Sequence, residues 1–280
     1  LRGELAKFQY PPSLLAFDPA FEKALLDDAG ADDVATANKK LVRFNDISGA
    51  AATFLLDRSG RTVAASNWQS ADSFVGRGYS YRPYFHQAMQ GSLGRDFAVE
   101  PETGERSYYF AHPIRVRSRT LGAVVVKIAI DRLEPSWLSS DNTILVVDRD
   151  GVIFLSTHPD WRFRSLAPLS KAARSRLVLS RRYGTREIAS IPVTDRTTAD
   201  FLSIADTPWH GSNTTRTPPT TNYLVQSKEM NEAGWRVLIL SDTASVDQQV
   251  KVWSAIVAIV IVSLLLLAAN IYQRRRRFSE

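Results

Sequence analysis

An α+β chain, helical at its start and then folded twice into one small module with a mainly antiparallel sheet, is what this sequence predicts. Helix signals dominate the first 48 residues. The stretch AATFLLDRSGRTVAASN, Ala51 to Asn67, returns as TILVVDRDGVIFLSTHP, Thr143 to Pro159. Each is followed by a glycine, a β-branched apolar run and an aspartate: LGAVVVKIAID over Leu121–Asp131 and GWRVLILSD over Gly234–Asp242. Two hairpin starts and two strand ends in the same order read as an internal duplication.

Taken in order, Pro11-Pro12 interrupts an early helical piece. Asp18-Pro19 reads as N-cap and first position of a helix over FEKALLDDA, and Asp32 or Asp33 caps VATANKKLVRFNDISG. We read residues 1–48 together as a long N-terminal helical stalk. Val34, Leu41 and Phe44 fall near one helix face while Lys39, Lys40 and Arg43 lie on others, which suits packing on one side or a dimer face. In each hairpin an apolar strand enters a turn, Asp57-Arg58-Ser59-Gly60 or Asp148-Arg149-Asp150-Gly151, and leaves as a second strand, with Ser66 answered by Ser156. SYYFAHPIRV, Ser107–Val116, reads as a strand, and the basic run Arg174–Arg182 as a solvated helix face and loop. Asp206–Asn222, rich in Thr and Pro, reads as an inserted flexible loop, within which Asn213-Thr214-Thr215 is formally a glycosylation sequon. The expected divisions are the stalk at 1–48, a first module at 49–135, a second at 136–250, a membrane helix at 251–273 and a juxtamembrane segment at 274–280.

The net charge of +6 is concentrated: Arg274–Arg277 form one run, and without residues 274–280 the balance is 31 cations against 28 anions. No basic stripe interleaved with aromatics remains, so nucleic acid is excluded as a partner. The absence of cysteine excludes disulfides, thiolate metal sites and cysteine nucleophiles. His86, His112, His158 and His210 are scattered without metal-ligand spacing.

Val252–Tyr272 runs for about 21 residues without a charge, long enough to cross a membrane as a helix, with Trp253 and Tyr272 at its ends. The four arginines beyond it place that end in the cytoplasm, leaving residues 1–251 outside. The chain opens on Leu1 and stops eight residues past the span, so it reads as a piece of a longer protein.

Two cations stand out. SFVGRGYSYRPYFHQAMQG, Ser73–Gly91, packs Tyr79, Tyr81, Tyr84 and Phe85 around Arg82. A buried guanidinium without a partner costs several kcal/mol, and its planar fork fits a carboxylate or phosphate. Either an acidic side chain of this chain or a bound anion answers it. Lys127 interrupts the wholly apolar AVVVKIAI, on the strand face shared by Ala123, Val125 and Ala129. It is either paired there or an edge-strand lysine reaching water.

The pairing of VGRGYSYRPYF with LGAVVVKI, in a duplicated module beside a membrane helix, resembles the external double-Cache (tandem PAS-like) sensor domains of bacteria, and among them the Dct-type C4-dicarboxylate sensor histidine kinases. The resemblance covers nearly the whole chain and is most specific over Tyr79–Phe85; the Asp206–Asn222 loop has no counterpart in it. It implies an α+β fold of two PAS-like (Cache) modules with antiparallel sheets, and a site in the membrane-distal module for succinate, malate or fumarate. Tyr79 and Arg82 match the family's ligand-holding tyrosine and arginine, and Lys127 its lysine; Thr103, Ser107 and Tyr109 join them by location. Two cations balance two carboxylates, with the Tyr79 and Tyr84 hydroxyls as neutral donors. The amino-acid-binding relatives carry an aspartate on the Lys127 strand, so a lysine there disfavours an amino acid.

The resemblance further implies a periplasmic domain of an inner-membrane receptor, a homodimer, and a cognate response regulator and dicarboxylate transporter as partners. Kinase activity, with its ATP and Mg, would belong to a part beyond this chain; within it no cofactor, nucleophile elbow, P-loop or paired metal ligand is read, and His86 lacks the surroundings of a phosphoacceptor. The alternative is the double-Cache ligand-binding region of a chemotaxis receptor or of another membrane receptor for a different small organic acid.

Overall fold

The computed structural model describes residues 2–100, 104–132, 142–198, 201–205, 220–231 and 233–243, with six helical positions between 253 and 261. The chain begins with four helices rather than one long one: α1 (Arg2–Lys7), α2 (Pro11–Leu15), α3 (Pro19–Ala24) and α4 (Ala31–Ser48). Prolines explain two of the breaks, because a residue without N–H and with fixed φ starts a helix well and cannot continue one. Asp18 caps α3 by accepting from the Ala20 N–H at 2.9 Å. The α4 cap falls on Gly30, whose N–H donates to Asp33 Oδ2 at 3.0 Å.

A five-stranded sheet follows, formed by β1 (Ala52–Asp57), β2 (Thr62–Ala65), β3 (Gly94–Val99), β4 (Arg106–Val116) and β5 (Arg119–Ala129) in the order β2-β1-β5-β4-β3. Each described neighbour pair is antiparallel. One face packs Leu55, Ala64 and Val124 on Phe21, Ala24, Ala37 and Leu41 of α3 and α4. Asn38 of α4 is buried there and accepts from the Ala65 N–H at 2.8 Å. The opposite face carries Ala52, Phe54, Ala98, Tyr109, Ala111, Ala123 and Val125, covered by Tyr84, Phe85 and Ala88 of a short helix, α5 (Pro83–Met89).

The predicted duplication is visible in detail. In the second hairpin, β6 (Thr143–Val147) pairs with β7 (Ile153–Ser156), and both hairpins slip register at the same place, at Leu55/Leu56 and at Val146/Val147. Asp57 Oδ1 accepts from the N–H groups of Ser59 and Arg61, and Asp148 Oδ1 from those of Asp150 and Val152. The counterpart of Ser66 is Thr157, not Ser156: Ser66 Oγ accepts from Thr53 N at 3.0 Å, and Thr157 Oγ1 from Ile144 N at 2.9 Å. Matching like residues missed this because serine and threonine hydroxyls do the same work.

Helix α6 (Lys171–Ser180) and strands β8 (Val193–Thr198), β9 (Phe201–Ala205), β10 (Thr220–Met230) and β11 (Trp235–Asp242) follow, and short 3-10 turns lie at Ile130–Arg132 and Pro159–Trp161. Contacts group residues 1–191 with 227–238 as one compact unit and 192–226 with 239–280 as another. In the first unit Phe97, Phe154 and Trp235 meet ring to ring at 4.2 to 6.2 Å. In the second, β9 pairs antiparallel with β8 and with Thr220–Leu224 of β10. The span expected over Val252–Tyr272 lies mostly outside the described residues, as do most of the expected Asp206–Asn222 loop and Arg274–Arg277. Trp253, Ile256, Val257, Ile259 and Ile261 are helical with exposed side chains, and among the described residues no helix is long and apolar enough to cross a membrane.

Two glycines seat the Gly78–Tyr84 stretch. Gly60 has φ +79°, and a Cβ there would lie 2.7 Å from Ser80 Cα. Gly94 opens β3 where a Cβ would lie 2.0 Å from the Tyr84 carbonyl oxygen, so α5 rests directly on the strand backbone. Gly94→Ala is expected to destabilise the domain by roughly 1–3 kcal/mol, the usual cost of overpacking, read as a lower urea midpoint.

Candidate functional site

Pro83 governs the first cation. The residue before a proline avoids the helical region, so Arg82 is extended (φ −77°, ψ 134°) and stands at the N-cap of α5. Its side chain is 1% exposed. Nη1 donates to the Arg181 carbonyl oxygen at 3.4 Å, while Nε and Nη2 have no hydrogen-bond partner. Among the described residues no carboxylate forms an ion pair with it. Burial works against the charge, but the oxygens of Tyr84, Tyr109, Tyr81 and Asp96 raise the pKa of Arg82 above the ordinary arginine value, so it stays a cation. The Tyr81 ring lies against the guanidiniums of both Arg82 and Arg181, at 5.0 and 4.9 Å.

Other unsatisfied groups lie on the same sheet face. The Tyr84 hydroxyl and Ser107 Oγ are buried without a partner. Tyr84 stacks on Tyr109 at 5.0 Å, and the Tyr109 hydroxyl donates to Glu100 Oε1 at 2.5 Å. Burial pushes the Tyr84 and Tyr109 hydroxyls well above the ordinary phenol range, the Glu100 carboxylate adding to it at both, so each remains a neutral donor. Tyr79 is shifted the same way and packs on Phe54 and Phe74, at 5.5 and 6.2 Å. Tyr79, Arg82, Tyr84, Ser107, Tyr109 and Lys127 are thus all buried; Thr103 lies outside the described residues.

Lys127 is not an edge lysine. It sits on β5, the central strand, directly opposite Tyr109 and 5% exposed. Its ammonium is met by Glu105 Oε2 at 2.6 Å and Glu100 Oε1 at 3.8 Å, and lies 5.3 Å from the centre of the Phe74 ring. Neither glutamate is among the residues singled out from sequence. The signal was there: Val99 pairs with Arg106, so strand alternation carries Glu100 onto the face of Asp96 and Ala98, toward Lys127.

The sequence also gave no warning of Arg182, expected on a solvated run and found buried. It bonds Asp96 Oδ1 at 3.2 Å and Asp148 Oδ2 at 3.0 Å, and the Tyr183 hydroxyl donates to that same Oδ2 at 2.9 Å. Asp96 is in turn an acidic neighbour whose field reaches Arg82. Among the described residues no group of three or more His, Asp or Glu is placed to hold a metal ion.

No family model matches the chain. Over 280 residues it is 32% identical to the C4-dicarboxylate transport sensor protein DctB of Pseudomonas aeruginosa, matching all of this chain and 42% of that protein. A protein of the same name from Rhizobium meliloti is 31% identical over 194 residues, 69% of this chain and 31% of that one. The chain therefore spans less than half the length of these curated relatives. Among solved structures, the sensor domain of the V. cholerae histidine kinase DctB is similar at a TM-score of 0.74 and 29% identity, over 85% of this chain and 90% of that one.

A buried hydroxyl without a partner contributes nothing when kept. Tyr84→Phe and Ser107→Ala are each expected to leave unfolding free energy unchanged or raise it by up to about 1 kcal/mol; a loss larger than that in urea titration would mean that the hydroxyl is satisfied in the folded protein.

Proposed function

The chain belongs to the family of Dct-type sensor domains, and from that premise we propose that it binds a C4-dicarboxylate between α5 and the five-stranded sheet. The observation that carries this reading is Arg82, buried with two unpartnered nitrogens and acted on by Tyr84, whose hydroxyl is itself unpartnered. Leaving such groups unsatisfied costs a few kcal/mol, which a carboxylate on the guanidinium fork recovers. The first carboxylate seats on Arg82 with Tyr84 and Ser107 as donors. The second turns toward Lys127, with Tyr79 and Tyr109 completing the enclosure and the alanines of the sheet facing the carbon chain, and Thr103 is proposed as a further ligand-binding residue.

The parent protein is then a sensor histidine kinase, with ATP and Mg held beyond this chain, a homodimer, and a response regulator and dicarboxylate transporter among its partners. Val252–Tyr272 crosses the inner membrane, with Arg274–Arg277 inside and the sensor in the periplasm. A ligand that binds one arrangement of the domain better than another shifts the population that the span reports.

Calorimetry with succinate, malate and fumarate tests the reading. Arg82→Ala is expected to weaken whichever of them binds by at least about 100-fold, the loss of a buried charge-assisted pair, with the circular dichroism spectrum retained. Unchanged affinity in that variant would remove the guanidinium from the site.

A further inference from the structure

The two ends of the proposed site are in different states. Around Arg82 donors stand unpartnered, whereas beside Lys127 the place of an anion is taken by the chain itself. The two carboxylates there differ in exposure. The Glu100 side chain is 7% exposed and receives the Tyr109 hydroxyl; that of Glu105 is 34% exposed, with its Oε2 2.6 Å from the ammonium.

We propose that Glu105 is a built-in stand-in for the ligand's second carboxylate, and that it sets how strongly the site prefers two-carboxylate over one-carboxylate ligands. This rests on the dicarboxylate reading above. Glu105 itself demonstrates that the space beside Lys127 accepts a carboxylate. Exchanging it for the ligand's leaves Lys127 facing two carboxylates before and after, so the local charge balance is conserved. The displaced side chain is already a third exposed and returns to water. The gain from the second carboxylate is therefore a difference between two similar ion pairs. The gain from the first is undiminished, because Arg82 has no competing carboxylate among the described residues. With Glu105 neutralised, Lys127 keeps, among the described residues, only the Glu100 carboxylate, at 3.8 Å and beyond hydrogen-bond reach, and the second carboxylate no longer competes.

Succinate and butyrate share a four-carbon chain and differ by one carboxylate, so calorimetry of both ligands on the wild-type chain and on Glu105→Gln isolates this contribution. Succinate is expected to bind about tenfold more tightly to the variant, and butyrate to stay within about twofold. Glu105→Ala is expected to behave as Glu105→Gln does. Succinate affinity that is unchanged or weaker in both variants, while the wild type binds it, overturns the inference alone. So does an equal gain for butyrate, which would assign the effect to the overall charge of the domain. Absence of succinate binding in wild type and variants alike overturns the dicarboxylate reading, and this inference with it.

Discussion

A guanidinium enclosed by phenols, with two of its nitrogens lacking an acceptor, is the constraint around which the first sheet is arranged. Folding such a group away from water is unfavourable, and the surrounding structure has to hold it there. Pro83 keeps Arg82 out of the helix that it caps, Gly94 lets that helix lie on the strand backbone, and Gly60 clamps the approach to it. These are backbone devices, made of covalent geometry and close contact, and they act whether or not anything occupies the space. Stability is surrendered at one point and recovered in the core on either side of the sheet.

The second cation is treated in the opposite way. Lys127 lies on the central strand, where alternation turns it into the same layer as Tyr109 and where no route along a sheet edge leads it to water. An ammonium in that position needs counter-charge, and the β3–β4 connection supplies it through Glu100 and Glu105. The difference follows from chemistry. A guanidinium is planar, delocalised and weakly hydrated, whereas an ammonium is a compact, strongly hydrated point charge that is costly to strip of water without a counter-charge. One end of the layer can wait unpartnered; the other is given its counter-charge by the chain.

Much of the fold was legible because its signals are local. Both hairpins, both terminal strands and the Asp18-Pro19 helix start depend on residues within one turn or one strand of each other. Lys127 was legible for the same reason, as a charge in an apolar run. What escaped depends on distance or on small size. Arg182 reads as one more arginine in a basic run until Asp96 and Asp148, 86 and 34 positions away, close on it. Helix α5 spans only seven residues, too few for a period to show. The helical start reads as one stalk only in its overall composition: Pro11-Pro12 and Asp18-Pro19 mark two of its three breaks in the sequence, and the third falls before α4, next to Gly30.

The duplicated turn shows how one repeat can acquire work that the other lacks. In both copies a single oxygen of the aspartate organises the bend, Asp57 Oδ1 in the first and Asp148 Oδ1 in the second. The other oxygen is left over. In the second copy Asp148 Oδ2 is engaged by Arg182 and Tyr183, with no change to the bend it belongs to. A carboxylate whose two atoms serve separate masters gives a copied segment somewhere to diverge: a new attachment can be gained on the idle atom while the inherited shape stays intact.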